Sequence, residues 1–361
     1  MKAYKKQGKK MREAKTVNMA INKIVRKHFR KQTYRVTNSY ELHQFASLFN
    51  TDYLSKLAQL LFRSDSHASD NLYTYYYAVD VGWIDKKPLA EYAAQTSFKG
   101  VELGDALILY NNHLIDRSGK HLCLLNERAV IIQAKITNNK ARIPKVTVTS
   151  GGSSNKEYAL YSRWPTFRLK SNTKHFNLPT LTHLNNPYPY TYYLAARKSY
   201  SKHSNWPCHW MGAPSILSNR CNISAGEILL SLKSGVFVNN YQVGAELNSN
   251  KEWARLVRSV LMKVCLGWTN TGWCGRIMPT RMKGDFLQYM TKQLPTLITT
   301  KYYSNFYSSR IKFTQINSCK YRNNLVSNEN LIPDFSGKFM VLRITRISSE
   351  FHPESEKLFK E

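Results

Sequence analysis

Three polar side chains stand at the ends of two apolar runs. Asp105 opens Gly104-Asp105-Ala106-Leu107-Ile108-Leu109-Tyr110, while Gln133 and Lys135 close Arg128-Ala129-Val130-Ile131-Ile132-Gln133-Ala134-Lys135. Strand side chains alternate in direction, so Gln133 and Lys135 share one face while Ile132, Ala134 and Ile136 point to the other. Runs apolar at consecutive positions are expected of central strands covered on both faces, where a terminal Gln or Lys costs burial energy unless it has partners. Between the runs, Asp116-Arg117-Ser118-Gly119-Lys120 is a turn signal, and an antiparallel return across 111–128 would set Asp105 beside Gln133. A carboxylate, an amide oxygen and an ammonium at one point suit metal-assisted phosphodiester chemistry. Magnesium takes oxygen ligands from only a few protein groups and leaves the rest of its shell to water and phosphate. Asp105 and the Gln133 oxygen would bind it, and Lys135 would orient or help deprotonate the attacking water, or neutralise charge on the displaced phosphate. Gln in place of an acid lowers the negative charge of such a site by one. A further carboxylate is therefore expected, with Glu102 the first candidate ligand and Glu91 the second.

The surrounding elements must hold these groups. From Ser39 to Phe62, Leu42, Phe45, Phe49, Tyr53, Leu54, Leu57, Leu60 and Leu61 recur mostly three or four apart, which predicts a core-facing helix. Leu72–Val81 and Pro88–Gln95 read as two further helical segments, the second with Pro88 in its first turn. After Lys135 come a flexible Ser150–Asn155 loop, a short helix from Lys156 to Arg163, strand-like Thr166–Lys170 and a strand at Thr191–Arg197. Two more helices are expected over 224–237, with Ser224 as cap, and over 251–268, where Leu256, Val257, Val260, Leu261 and Val264 form a stripe. Trp164 and Phe167 are expected in the core. Three units follow: a basic arm over 1–38, a core over 39–200 and a mainly helical region over 201–361.

The chain has 361 residues, of which 42% are hydrophobic, enough for a sizeable core, and 53 Lys and Arg stand against 23 Asp and Glu for a formal charge of +30. Such an excess points to a polyanion. Nucleic acid is preferred to membrane, since no stretch approaches the ~20 apolar residues of a bilayer span; an anionic membrane surface is the minor alternative. Residues 1–33 hold twelve of the cations and one acid, Glu13, and Val17–Phe29 has helical apolar spacing, as of an element that docks or folds on nucleic acid. Lys5, Lys6, Lys9, Lys10, Arg12, Arg26, Lys27, Arg30 and Lys31 are the expected backbone contacts of this arm, joined by Arg163, Arg168 and Lys170 further on. The six cysteines form no disulfide framework, and no secretory signal is visible, so reduced thiols and cytoplasmic residence are expected. His203, Cys208, His209 and Cys221 have no compact zinc spacing, and zinc is disfavoured there. Neither a P-loop nor a dinucleotide-binding glycine motif occurs.

The order Glu102-Leu103-Gly104-Asp105, apolar strand, hairpin, apolar strand, Gln133-Ala134-Lys135 resembles the PD-(D/E)XK restriction-endonuclease-like superfamily, in the variant where Gln replaces the second acid. The resemblance covers about residues 70–200, and Gly104 stands where a Pro is usual. It implies an α/β (α+β) fold with a mixed central sheet flanked by helices, Mg2+ or Mn2+ dependence and cleavage of DNA, double-stranded DNA being the expected partner. Asp105, Gln133 and Lys135 take the metal and catalytic places, with Glu102 as added ligand. Similarity to uncharacterised bacterial proteins with the same two motifs suggests a nuclease of antiviral defence or of a mobile element. Two alternatives stand beside it: a non-catalytic nucleic-acid-binding protein on a nuclease-like scaffold, and a basic structural protein of a nucleoprotein assembly. A homodimer or a separate regulatory partner is left open.

Overall fold

The computed structural model describes residues 15–27, 51–66, 73–84, 88–92, 100–115, 121–137, 143–146, 148, 153–170, 173–179, 188–197, 210–212, 220–270 and 339–350. Its frame is a mixed sheet of β1 (Tyr73–Ile84), β4 (Ala106–Ile115), β5 (His121–Thr137), β8 (Thr191–Arg197), β9 (Trp210–Gly212), β10 (Ile223–Ser224) and β12 (Phe339–Glu350), in the order β1-β12-β4-β5-β8-β9-β10. A short β11 (Ala245–Glu246) pairs with the first half of β5. A smaller sheet runs β3-β2-β6-β7, from β2 (Leu89–Tyr92), β3 (Val101–Glu102), β6 (Phe167–Leu169) and β7 (His175–Phe176). The helices are α1 (15–27), α2 (Thr51–Ser66), α3 (Ser153–Arg163), α4 (Ala225–Ser234) and α5 (Lys251–Asn270).

The antiparallel hairpin expected from the two apolar runs is present as β4 and β5, with Leu107 opposite Ile131. Alternation sorts their side chains into two cores: Ala106, Ile108, Val130, Ile132 and Ala134 enter one, and Leu107, Leu109, Ala129 and Ile131 the other. The first is covered by α1, α2 and α4, the second by α3, α5 and the small sheet. The α/β architecture with a mixed sheet flanked by helices is thus as expected. Two predicted helices are strands instead. Leu72–Val81 lies largely within β1, paired along its length with β12, because Tyr and Val suit a pleated, partly buried surface better than a helix. Pro88–Gln95 contains β2, which is paired on both sides, with β3 and β6; Pro88 stands just before its first paired residue, where the missing N–H removes no ladder bond and its carbonyl still accepts from the Leu103 N–H at 2.8 Å.

Beyond residue 200 the helices α4 and α5 match expectation, and the segment 339–350, the last that the structure describes, is a strand. There β12 inserts between β1, antiparallel, and β4, parallel. Phe339 and Val341 enter one core and Met340, Leu342 and Ile344 the other, the continuous apolar run of a strand covered on both faces.

The second half of the basic arm is a helix, as its spacing predicts, and it docks on the protein itself. Val17 and Ile21 are buried, and Asn22 bridges to α4 by accepting from the Gly226 N–H at 2.9 Å and donating to Ser224 Oγ at 3.0 Å. Ser224 caps α4 as predicted, in a reciprocal capping box with Glu227. Among the described residues no helix is long and apolar enough to cross a membrane.

Candidate active site at the ends of the central strands

Register brings the first two residues together. Ala106 lies opposite Ile132, so Asp105, one residue earlier, falls level with Gln133. The Asp105 N–H donates to the Ile132 carbonyl and its own carbonyl accepts from Met340 N–H, both at 2.9 Å, so the C-terminal strand helps to hold it. Gly104 makes the approach possible: its φ is +148°, and a Cβ there would collide with Ile131. Gly104→Ala is expected to lower stability by about 1–3 kcal/mol through strain and overpacking. Urea unfolding would check this, and a loss well under that range would show that Asp105 does not depend on the turn.

Asp105 and Gln133 are both fully buried. Asp105 Oδ2 accepts from Gln133 Nε2 at 2.7 Å and from the Ala134 N–H at 2.8 Å. A carboxylate only accepts, so the amide must present its NH2 to it, and the amide oxygen turns to accept from the Tyr161 hydroxyl at 2.8 Å. Gln133 therefore meets Asp105 with nitrogen; to share a cation with Asp105 through its oxygen, the amide would have to turn over.

Helix α3 crosses this face as the connection from β5 to the parallel β8. Glu157 and Tyr161, four residues apart, rise about 6 Å along a helix, close to the roughly 6.6 Å between Gln133 and Lys135 on a strand. The helix pair thus matches the strand pair: Tyr161 meets Gln133, and Glu157 Oε2 lies 2.6 Å from Lys135 Nζ. Glu157 is buried, and burial raises its pKa; Lys135 opposes that shift, while the charges of Asp105 and Glu102 add to it. Tyr161 is likewise pushed well up by burial, then by Glu157, Tyr193, Asp105 and Glu102. Three carboxylates, Asp105, Glu102 and Glu157, therefore act on one locality. Tyr193 on β8 lies level with Gln133, its ring edge-on to Tyr161 with centroids 5.9 Å apart. Its hydroxyl is buried without a hydrogen-bond partner among the described residues, and burial followed by the Glu157 charge raises its pKa.

Of the expected residues, Asp105 and Gln133 are in hydrogen-bond contact, and Lys135, two residues along the same strand, is paired with Glu157. Glu102, at the end of β3, is partly exposed, and its carbonyl accepts from Tyr161 at 3.3 Å. Glu91 instead commits its carboxylate to Arg168, at 3.1 Å on the small sheet. Sequence reasoning passed over Glu157, Tyr161 and Tyr193. The available signal was the four-residue spacing of Glu157 and Tyr161 on a helix that had to cross this face of the sheet to reach the next strand.

Among the expected backbone contacts, Arg163 is exposed at the end of α3, two residues beyond Tyr161, Arg168 and Lys170 are exposed on β6 and just after it, and Lys27 is exposed and Arg26 partly so on α1. Lys5, Lys6, Lys9, Lys10, Arg12, Arg30 and Lys31 lie outside the described residues. Trp164 and Phe167 are core, as expected. Cys221 is buried, its thiol pushed up to about 12 chiefly by burial; His203, Cys208 and His209 lie outside the described residues.

Among the described residues, no three His, Cys, Asp or Glu side chains converge to enclose a metal ion by themselves. Magnesium does not require such a cage. One or two carboxylates with water and substrate phosphate suffice, and Asp105 with a neighbouring glutamate meets that need. The partnerless Tyr193 hydroxyl beside Glu157 adds a donor of the kind that a bound water or phosphate oxygen would satisfy. Comparisons of the chain with protein-family models, with curated proteins and with solved structures found no match.

Proposed function

We propose that this chain is a metal-dependent endonuclease with a restriction-endonuclease-like core that hydrolyses DNA phosphodiester bonds, acting in the cytoplasm in bacterial defence or in a mobile element. The observation that carries the reading is the meeting of Asp105 and Gln133 across the β4–β5 hairpin, with Lys135 one pleat further on the same face. The formal charge of +30 supplies the attraction to a phosphate backbone, with exposed Arg163, Arg168 and Lys170 among the cations that would meet it. Mg2+ or Mn2+, when bound, would supply Lewis-acid polarisation of the phosphoryl oxygen and activation of water. Asp105, with Glu102 beside it, would hold the ion. Gln133 keeps Asp105 oriented and Tyr161 keeps Gln133 in place. Lys135 supplies a positive charge for the phosphate as charge builds on it, and stands where it can orient the attacking water.

The test is cleavage of supercoiled DNA, linear duplex, single-stranded DNA and RNA by the full chain, with Mg2+, Mn2+ or chelator. Metal-dependent nicking that is lost in Lys135→Ala, with duplex binding kept, is the expected outcome. A specific feature favours the non-catalytic alternative: Lys135 is already engaged by Glu157, and Gln133 turns its nitrogen to Asp105. Salt-sensitive binding with no strand cleavage in either metal would select that alternative.

A further inference from the structure

In the nuclease reading Gln133 stands where the strand would carry a second carboxylate, and Glu102, the acid named so far beside Asp105, is partly exposed at the end of β3. We propose that Glu157 is that second acid, pairing with Asp105 around the divalent cation, with the Tyr193 hydroxyl as a donor to the oxygen ligands of the same sphere. The inference rests on the function proposed above.

Two independent observations carry it. The first is placement. Glu157 projects from α3 onto the face that bears Asp105, Gln133 and Lys135, almost wholly buried, in a position set by the neighbouring turn, where Tyr161 bonds Gln133. A carboxylate has about four lone-pair positions, so Glu157 can keep Lys135 at Oε2 while Oε1 takes a cation. The charge removed by having Gln133 in the strand is thus returned from the helix.

The second is Tyr193. A buried hydroxyl without a partner costs about 1–3 kcal/mol. Tyr193 is 3% exposed and its hydroxyl has no hydrogen-bond partner among the described residues, although it lies near enough to Glu157 to feel that charge. A phenol needed only for packing would serve as well as phenylalanine. A phenol beside an acid pair would donate to a water or a phosphate oxygen brought in with the cation.

Mn2+ titration of the full-length chain, followed by electron paramagnetic resonance, reads binding without reference to cleavage. Wild type is expected to take up Mn2+, and Glu157→Gln to weaken uptake by at least about tenfold, as loss of a ligand or its close support does. Adding Gln133→Glu to Glu157→Gln should return affinity close to wild type, because the charge is restored on the opposite side of the same point. Tyr193→Phe should weaken Mn2+ binding with no loss of thermal stability. Unchanged affinity in Glu157→Gln, or no recovery in the double variant, overturns the inference while leaving the nuclease reading intact. Absence of Mn2+ uptake by wild type would overturn both. Should Glu157→Gln fail to fold, Glu157→Asp carries the test: it keeps the charge but draws the carboxylate back by one methylene, and undiminished Mn2+ affinity would exclude Glu157 as a ligand.

Discussion

Asp65→Ala is expected to remove about 3–5 kcal/mol of stability, the usual result of stripping one partner from a buried ionic cluster. Asp65, near the end of α2, sits where α2, α4 and β12 meet. Its Oδ1 accepts from Lys233 Nζ of α4 at 2.5 Å, and its Oδ2 accepts from Tyr77 of β1 at 2.5 Å and pairs with Arg346 of β12 at 2.9 Å. The side chains of Lys233 and Asp65 are only 10% and 11% exposed. Two cations share one carboxylate, so its loss takes from Lys233 the acid that compensates its burial, in a place that water scarcely reaches. Burial already lowers the Lys233 pKa against the opposing pull of Asp65, and without Asp65 it must fall further. A lysine that binds its proton less tightly when folded makes stability rise as pH climbs from the folded pKa toward the unfolded value near 10.4. The deficit of Asp65→Ala should therefore narrow between pH 7 and pH 9.5 in urea unfolding, and Lys233→Met added to it should recover much of the loss. A deficit below about 1 kcal/mol, the scale of an exposed pair, would show that water solvates the cluster. Since β12 is also the strand next to Asp105, the variant should lose its candidate site together with its fold.

That dependence on β12 marks where sequence reading stops. The β4–β5 hairpin was legible because both runs are apolar at consecutive positions, separated by a turn signal, and paired with each other; local pattern and global pairing agree. β12 is just as apolar, but its partners lie far away in the chain, as when Ser348 donates to Asn112 across 236 residues. No local periodicity specifies such a partner. β1 was misread for a different reason. Tyr73 to Ile84 mixes tyrosines with small and β-branched residues, so a helical template could be fitted to part of it, and pairing with β12 decided the outcome. At the site, Asp105, Gln133 and Lys135 could be found because strand alternation alone aligns them. Glu157 and Tyr161 offered only their four-residue spacing and Tyr193 no signal at all, because their convergence depends on how α3 lies over β5 and β8, a tertiary fact. The basic arm shows the opposite limit: its charge and the helical spacing of its second half were plain, but nothing local told that Asn22 reaches Gly226 and Ser224, more than 200 residues away.

Asp105→Asn should separate catalysis from folding and binding more cleanly than any other single change at the site. Asparagine keeps an oxygen that can accept from Gln133 Nε2 and the Ala134 N–H, so both bonds that now seat Asp105 can survive. What disappears is the charge. If that charge helps to hold a divalent cation, metal-dependent cleavage should fall by about 10²–10³-fold, the scale of losing one preorganised electrostatic group. Binding to duplex DNA in the absence of metal should hold or tighten slightly, because one negative charge has been taken from a basic surface, and the dependence on salt should keep its slope. Stability should change little if the two bonds persist, and a melting curve reads that directly. The three readings constrain one another. Loss of cleavage with unaltered melting and binding would place Asp105 in the chemistry, loss of all three would make it a structural carboxylate seating β4 on β5, and full retention of cleavage would remove the metal-site assignment altogether.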